Sequence, residues 1–102
     1  MTAPKVEFSP DALKQVRTIG DWWNANRTAA PNLFHDELAA MLEILCTAPN
    51  SATAYKHQRI PGLRRTLMQR TRYHIYFTYH EERALIFVHA IWHAVRGRGP
   101  RL

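Results

Sequence analysis

Cys46 is the only cysteine in 102 residues, so no disulfide forms within the chain. Long apolar runs are missing as well. The best candidate, residues 84–88, is interrupted at His89 and falls far short of the roughly 18 consecutive apolar residues that span a bilayer. Residues 1–8 lack the cationic-then-apolar pattern of a secretory leader, which makes the cytoplasm the expected compartment. No internal repeat or low-complexity tract is present, and no glycine-rich loop follows a strand to cradle a phosphate. With no metal-binding cysteine pattern and no cofactor motif, neither a metal nor a cofactor is expected.

Acidic residues are scarce in the second half. Residues 1–51 carry four Lys and Arg against six Asp and Glu, net −2, whereas residues 52–102 carry ten against two, net +8, together giving the chain's +6. A charge segregated in this way suits an anionic or acidic partner. The length fits one domain over residues 1–102 with a single core and an open, shallow active surface. A hydrophobic fraction of 46% with three tryptophans argues for a folded domain and against a disordered basic protein.

Lys5-Val6-Glu7-Phe8 alternates as a short strand, and Ser9-Pro10-Asp11 supplies a cap, a first-turn proline and an acid at a helix start. Leu13, Val16, Ile19 and Trp23 then form a stripe at helical spacing, ending near residues 24–27. Phe34, Leu38, Met41, Leu42 and Leu45 mark a second helix from about residue 31 to 47, stopped by Ala48-Pro49-Asn50-Ser51. The short link makes the two helices an antiparallel hairpin. Trp22 and Trp23 are about 100° apart on a helical wheel, so Trp23 is expected in the core and Trp22 at the surface as a contact residue.

Residues 51–63 lack periodicity and read as a polar connection ending at the Pro61-Gly62 turn. Period-two patterning follows over residues 65–70, 73–80 and 85–93, with Glu81-Glu82-Arg83 as a tight hairpin. In the middle strand Tyr73, Ile75, Phe77 and Tyr79 share one face, and His74, Tyr76, Thr78 and His80 the other. Parity in the last strand groups Leu85, Phe87, His89, Ile91 and His93 against Ile86, Val88, Ala90 and Trp92, and leaves open which set faces inward. The expected architecture is α+β: a short strand, a two-helix hairpin, then a three-stranded antiparallel meander. The helices cover one face, the first strand joins the edge, and the opposite cationic face stays free. Residues 95–102, with Arg96, Arg98 and Arg101 between glycines and a proline, read as a mobile basic tail.

Pro61-Gly62-Leu63-Arg64-Arg65, Arg72-Tyr73-His74-Ile75-Tyr76-Phe77-Thr78-Tyr79 and Ile91-Trp92-His93-Ala94-Val95-Arg96-Gly97-Arg98, in this order, resemble the ParE/RelE toxins of type II toxin–antitoxin modules. The resemblance covers nearly the whole chain and implies a small toxin held inert, as a hetero-oligomer, by a co-expressed acidic, partly disordered, ParD-like antitoxin. It also implies one of two activities. RelE-like members cleave messenger RNA on the ribosome; ParE-like members inhibit DNA gyrase. In the RNA-cleaving branch an arginine follows the aromatic that opens the middle strand, and a tyrosine lies in a C-terminal extension. Here His74 takes the arginine position, and residues 94–102 contain no tyrosine.

These departures favour the ParE-like, non-enzymatic reading. Arg65, Arg70, Arg72, His74, His93, Arg96 and Arg98 are the candidate target-binding residues, and Trp22, Arg64, Tyr76 and Arg83 the candidate antitoxin contacts. No residue is assigned as catalytic on this reading. On the ribonuclease alternative, His74 takes the proton of the attacking 2′-hydroxyl while Arg65, Arg70 or Arg96 stabilises the phosphate. A third possibility is a basic interaction domain without toxicity, in which the arginines form only a solvated strand face. Arg64 and Arg65 are neighbours on a strand, so they should point to opposite faces.

Overall fold

The computed structural model describes residues 3–95 and 98–102. β1 (Lys5–Phe8) leads into α1 (Pro10–Asn26) and α2 (Leu33–Thr47), followed by β2 (Thr53–Ala54), β3 (Arg64–Leu67), β4 (Tyr73–His80) and β5 (Leu85–His93). The five strands form one sheet in the order β1-β5-β4-β3-β2. β1 runs parallel to β5, and the other pairings are antiparallel. The expected α+β layer is present. Two details differ from the sequence reading: the connection after α2 contributes β2, which is only two residues long, and β3 stops at Leu67, not at residue 70.

The helices pack on one face of the sheet, here the inner face. Phe34, Leu38 and Leu45 from α2 and Ala12 and Trp23 from α1 meet Ile75, Phe77, Ile86, Val88 and Ile91 in one buried cluster. Trp23 is 9% exposed and Trp22 45%, as the helical stripe predicts. Ser9 caps α1, its Oγ accepting from the Ala12 N–H at 3.0 Å, and also donates to the carbonyl oxygen of His89 at 3.0 Å, fixing the helix start against β5.

β5 carries a bulge. Tyr76 pairs with Ala90 and Phe77 with Val88, so His89 is an extra residue in the ladder. The inward positions therefore run Ile86, Val88 and then Ile91, changing parity at His89. This is why strict alternation could not orient the strand: each parity set is correct on only one side of the bulge.

The outer face is not left free, which corrects the expectation of an open cationic sheet. Leu63, Tyr76 and Ala90 form a second buried cluster, with Tyr55, Ile60, Trp92 and Leu102 packed against it. Tyr55, Ile60 and Leu63 of the 55–63 segment lie on this face, and the Tyr55 N–H bonds to the Leu63 carbonyl at 2.8 Å, continuing the β2–β3 ladder. Among the described residues of the C-terminal segment, the Arg98 carbonyl accepts from Trp92 Nε1 at 2.8 Å, and Leu102 reaches the cluster. The Arg98 carbonyl and Leu102 thus lie on the outer face. Apolar outer-face positions such as Ala90 and Trp92 draw them back over the sheet.

Candidate functional site

Charge and aromatic surface come together at the β3–β4 part of the outer face. Arg65 pairs with Tyr76 and Leu67 with His74 across the ladder, so all four side chains share that face. The Arg65 guanidinium lies 4.8 Å from the Tyr55 ring centroid and 5.9 Å from that of Tyr76, a cation held over π-faces. Tyr55 and Tyr76 meet edge to face at 5.1 Å, and His74 lies 6.0 Å from Tyr76. A shallow recess bordered by Ser51, Thr53, Arg65, Leu67 and His74 opens beside them. Burial, then the positive charges of Arg65 and Arg72, hold the His74 imidazole below its ordinary value of 6.5. His74 therefore presents a neutral ring, able to accept a proton, next to a fixed cation.

The remaining predicted residues do not join this patch. Arg64 turns away from Arg65, as strand alternation requires, and donates from Nη1 to the carbonyls of Ala52 at 2.8 Å and Asn50 at 3.4 Å. It ties down the segment after α2 and is partly buried. Tyr76 is 2% exposed beneath Tyr55, so it supports Arg65 and is not itself a surface contact. Arg83 is exposed in the β4–β5 turn. Trp22 lies with Tyr73 and His93 at the other end of that hairpin, roughly 23 Å away at ~3.3 Å per residue. The four predicted antitoxin contacts therefore do not form one surface.

The target-binding set is also dispersed. Arg70 sits in the β3–β4 turn, where its N–H donates to Glu37 Oε2 at 2.7 Å and its charge acts on that carboxylate. Its side chain is exposed in that turn. His93 faces the helices, its ring 4.9 Å from Tyr73, because the bulge puts it opposite Tyr73 on the inner side. Arg72 is exposed at φ 68°, and its charge reaches His74. Arg98 is exposed beyond Trp92, and Arg96 lies outside the described residues.

Sequence reasoning missed two polar constellations. Glu37 grips the β3–β4 turn through Arg70 and Thr71; nothing in the helical stripe marks an acid 34 residues upstream of its partner. On the outer face, Thr78 Oγ1 lies 2.9 Å from His80 Nε2 and 3.0 Å from His89 Nε2. His89 shares that face with Phe87, the two rings 4.9 Å apart. Burial, then the charges of His80 and His57, hold His89 below 6.5. Cys46 is partly buried, with Sγ 3.5 Å from the Pro4 carbonyl, which fits its reading as a packed side chain. No helix of the described residues is long and apolar enough to cross a membrane.

The fold is similar to that of a chain from the chromosomal ParDE toxin–antitoxin system of P. aeruginosa, with TM-score 0.68 and 13% identity over 89% of this chain and 96% of that one. The E. coli toxin RelE, as a double arginine mutant in the free state, gives TM-score 0.60 at 16% identity, covering 92% and 86%. A chain of the intact E. coli RelBE toxin–antitoxin complex gives 0.53 at 19%, covering 93% and 100%. No curated protein sequence is significantly similar to the chain. At these identities the structures establish the fold alone, whereas residues 6–97 match the family model of the ParE toxin of type II toxin–antitoxin systems, parDE. The chain belongs to that family and is a ParE-type toxin of a type II toxin–antitoxin system.

Proposed function

We propose that this toxin arrests growth by binding DNA gyrase, and that a cognate acidic antitoxin neutralises it in the cytoplasm as a hetero-oligomer. The observation that carries this reading is the dispersal of the basic groups. His74 and Arg65 share the outer face, Arg70 stands exposed in the β3–β4 turn, and His93 faces α1. Phosphoryl transfer needs its proton acceptor and its cations converging on one reacting group. Charges spread over several faces suit adhesion to an extended acidic surface instead. The family match supports the toxin role, and the two toxin–antitoxin systems among the similar structures support an antitoxin partner. Induction of the chain without antitoxin, with DNA supercoiling, replication and protein synthesis timed separately, tests the target. DNA-damage signalling before any loss of translation is the expected result.

A ribosome-dependent messenger RNA endoribonuclease is the second reading, favoured by the neutral His74 imidazole beside Arg65 on a tyrosine platform. There His74 would take the 2′-hydroxyl proton and Arg65 would meet the phosphate. Full toxicity of His74→Ala removes this reading. Complete loss of toxicity with an intact fold counts instead against simple binding, and absence of any growth defect from the wild-type chain leaves a non-toxic basic interaction domain.

A further inference from the structure

We infer, resting on the gyrase reading above, that the outer face around Tyr55 binds the phosphate backbone of duplex DNA. The toxin then grips gyrase together with the DNA on which that enzyme works.

Charges far apart in sequence converge on this face. Residues 44–80 and 83–102 contain no Asp or Glu, and three stretches of this acid-free chain meet on one aromatic cluster. Tyr55 and Ile60 pack against Leu63 and Tyr76, and their neighbours Lys56 and Arg59 are exposed. The Arg65 guanidinium lies 4.8 Å from the Tyr55 ring centroid. Gly99 comes so near the Tyr55 hydroxyl that an added Cβ would stand 3.3 Å from it, and Leu102 packs on the same cluster. The exposed Arg98 and Arg101 are thereby brought to the patch. Val6 and Phe8 face the core, so Glu7 between them points to the outer side, yet β1 lies three strands from β3. That is roughly 14 Å at ~4.8 Å per strand, beyond the Debye length of about 8 Å at physiological salt.

The aromatic geometry selects the form of nucleic acid. Tyr76 is 2% exposed, with the Tyr55 ring edge to face against it at 5.1 Å. Arg65 takes the face of Tyr55 on which a base would stack. Single strands are read chiefly by stacking on open aromatic faces, so this surface is poorly made for them. Its cations read phosphate instead. A duplex keeps its bases stacked inside and carries one negative charge per ~1.7 Å of its axis, which suits several cations grouped on one face. Arg65, held between two tyrosines, loses little further freedom on meeting a phosphate.

Fluorescence anisotropy of a labelled duplex DNA oligonucleotide, titrated with the full chain over roughly 50 to 200 mM salt, tests the surface. Wild type should bind, with an affinity that falls steeply as salt rises. Lys56→Gln/Arg59→Gln and Arg98→Gln/Arg101→Gln should each weaken binding about fivefold or more and flatten the logarithmic salt slope by roughly 1–2. Arg65→Gln should weaken it several-fold. Lys14→Gln/Arg17→Gln removes the same charge from exposed positions of α1 and should bind as wild type. No duplex binding at the lowest salt, with circular dichroism intact, overturns the assignment. An equal loss from the α1 pair does so too, since net charge would then account for the attraction. Tighter binding of single-stranded RNA of the same length makes the face an RNA surface and likewise overturns it. Pull-down of purified gyrase separates the two readings. Capture of gyrase by every variant, with no duplex affinity in any, leaves the gyrase reading standing alone. Duplex binding through these residues with gyrase never captured, with or without DNA, upholds the surface and fails the gyrase reading.

Discussion

Glu37 and Thr71, on α2 and in the β3–β4 turn, are joined by two hydrogen bonds to one carboxylate oxygen: Thr71 N–H donates at 2.9 Å and Thr71 Oγ1 at 2.7 Å. The other oxygen accepts from the Arg70 N–H at 2.7 Å. The turn between residues 68 and 72 contains no glycine, and Arg72 sits at φ 68° within it. The carboxylate supplies from a distance the order that a glycine turn would supply locally. It also fixes where β4 begins, and so where His74 falls.

Glu37→Ala should destabilise the fold by about 1–3 kcal/mol, because two backbone N–H groups and a buried hydroxyl lose their acceptor. Chemical denaturation measures this. A loss below a few tenths of a kcal/mol would mean that the turn holds without the clamp.

Acid should loosen the same contact. Burial works to raise the Glu37 pKa, but the hydrogen bonds from Thr71 and Arg70 outweigh it, and the net value lies below 4.5. A carboxylate lowered on folding gives stability that is complete above the unfolded value and is lost as pH falls through the folded one. Stability should therefore drop below about pH 4.5 in wild type, and Glu37→Gln should show a shallower fall.

A second window lies nearer neutrality. His74 and His89 are both held below 6.5, first by burial, then by Arg65 and Arg72 for His74 and by His80 and His57 for His89. The unfolded chain then binds more protons than the folded one, so stability is greatest above about pH 6.5 and declines as pH falls from there toward the folded values. Melting temperatures at pH 7.5, 6.5 and 5.5 test the slope. A flat profile for wild type, or the same slope in His89→Gln, contradicts the assignment to His89.

Arg65→Gln should raise the pKa of His74 by removing the stronger of two repelling charges, and Arg72→Gln should raise it less, in the order of their influence. Nuclear magnetic resonance titration of the His74 ring reads both. No movement in either variant would place the arginines too far from the imidazole to matter.

Ser9→Ala removes a helix cap and a tie to the His89 carbonyl together. The cap alone is worth about 1 kcal/mol, so a cost of roughly 1–2 kcal/mol is expected in denaturant unfolding. Ser9→Asp retains a capping oxygen but cannot donate to a carbonyl, and should recover only part of the loss.

Local pattern was enough to place much of the chain. Residues 5–8, 73–80 and 85–93 alternate or run apolar, and they are three of the five strands. Ser9-Pro10 starts α1 because capping and a preset φ act within one turn of the residues that carry them. The alternation of β4, the division between Trp22 and Trp23 and the opposite senses of Arg64 and Arg65 are likewise properties of neighbours a few residues apart. Family-specific motifs in the right order pointed to the toxin fold.

Which residues share a surface was decided only by the tertiary structure. The bulge at His89 reverses parity midway along β5, sending His93 toward α1 while His89 stays on the side of Thr78. Glu37 claims the backbone N–H groups of Arg70 and Thr71, the Asn50 and Ala52 carbonyls claim Arg64, and Leu102 returns to a face that alternation alone had left open. Secondary structure follows from torsions and spacing along a short stretch of chain, and the sequence encodes these directly. A shared site depends on strand register and long-range hydrogen bonds, which exist only once distant segments have packed.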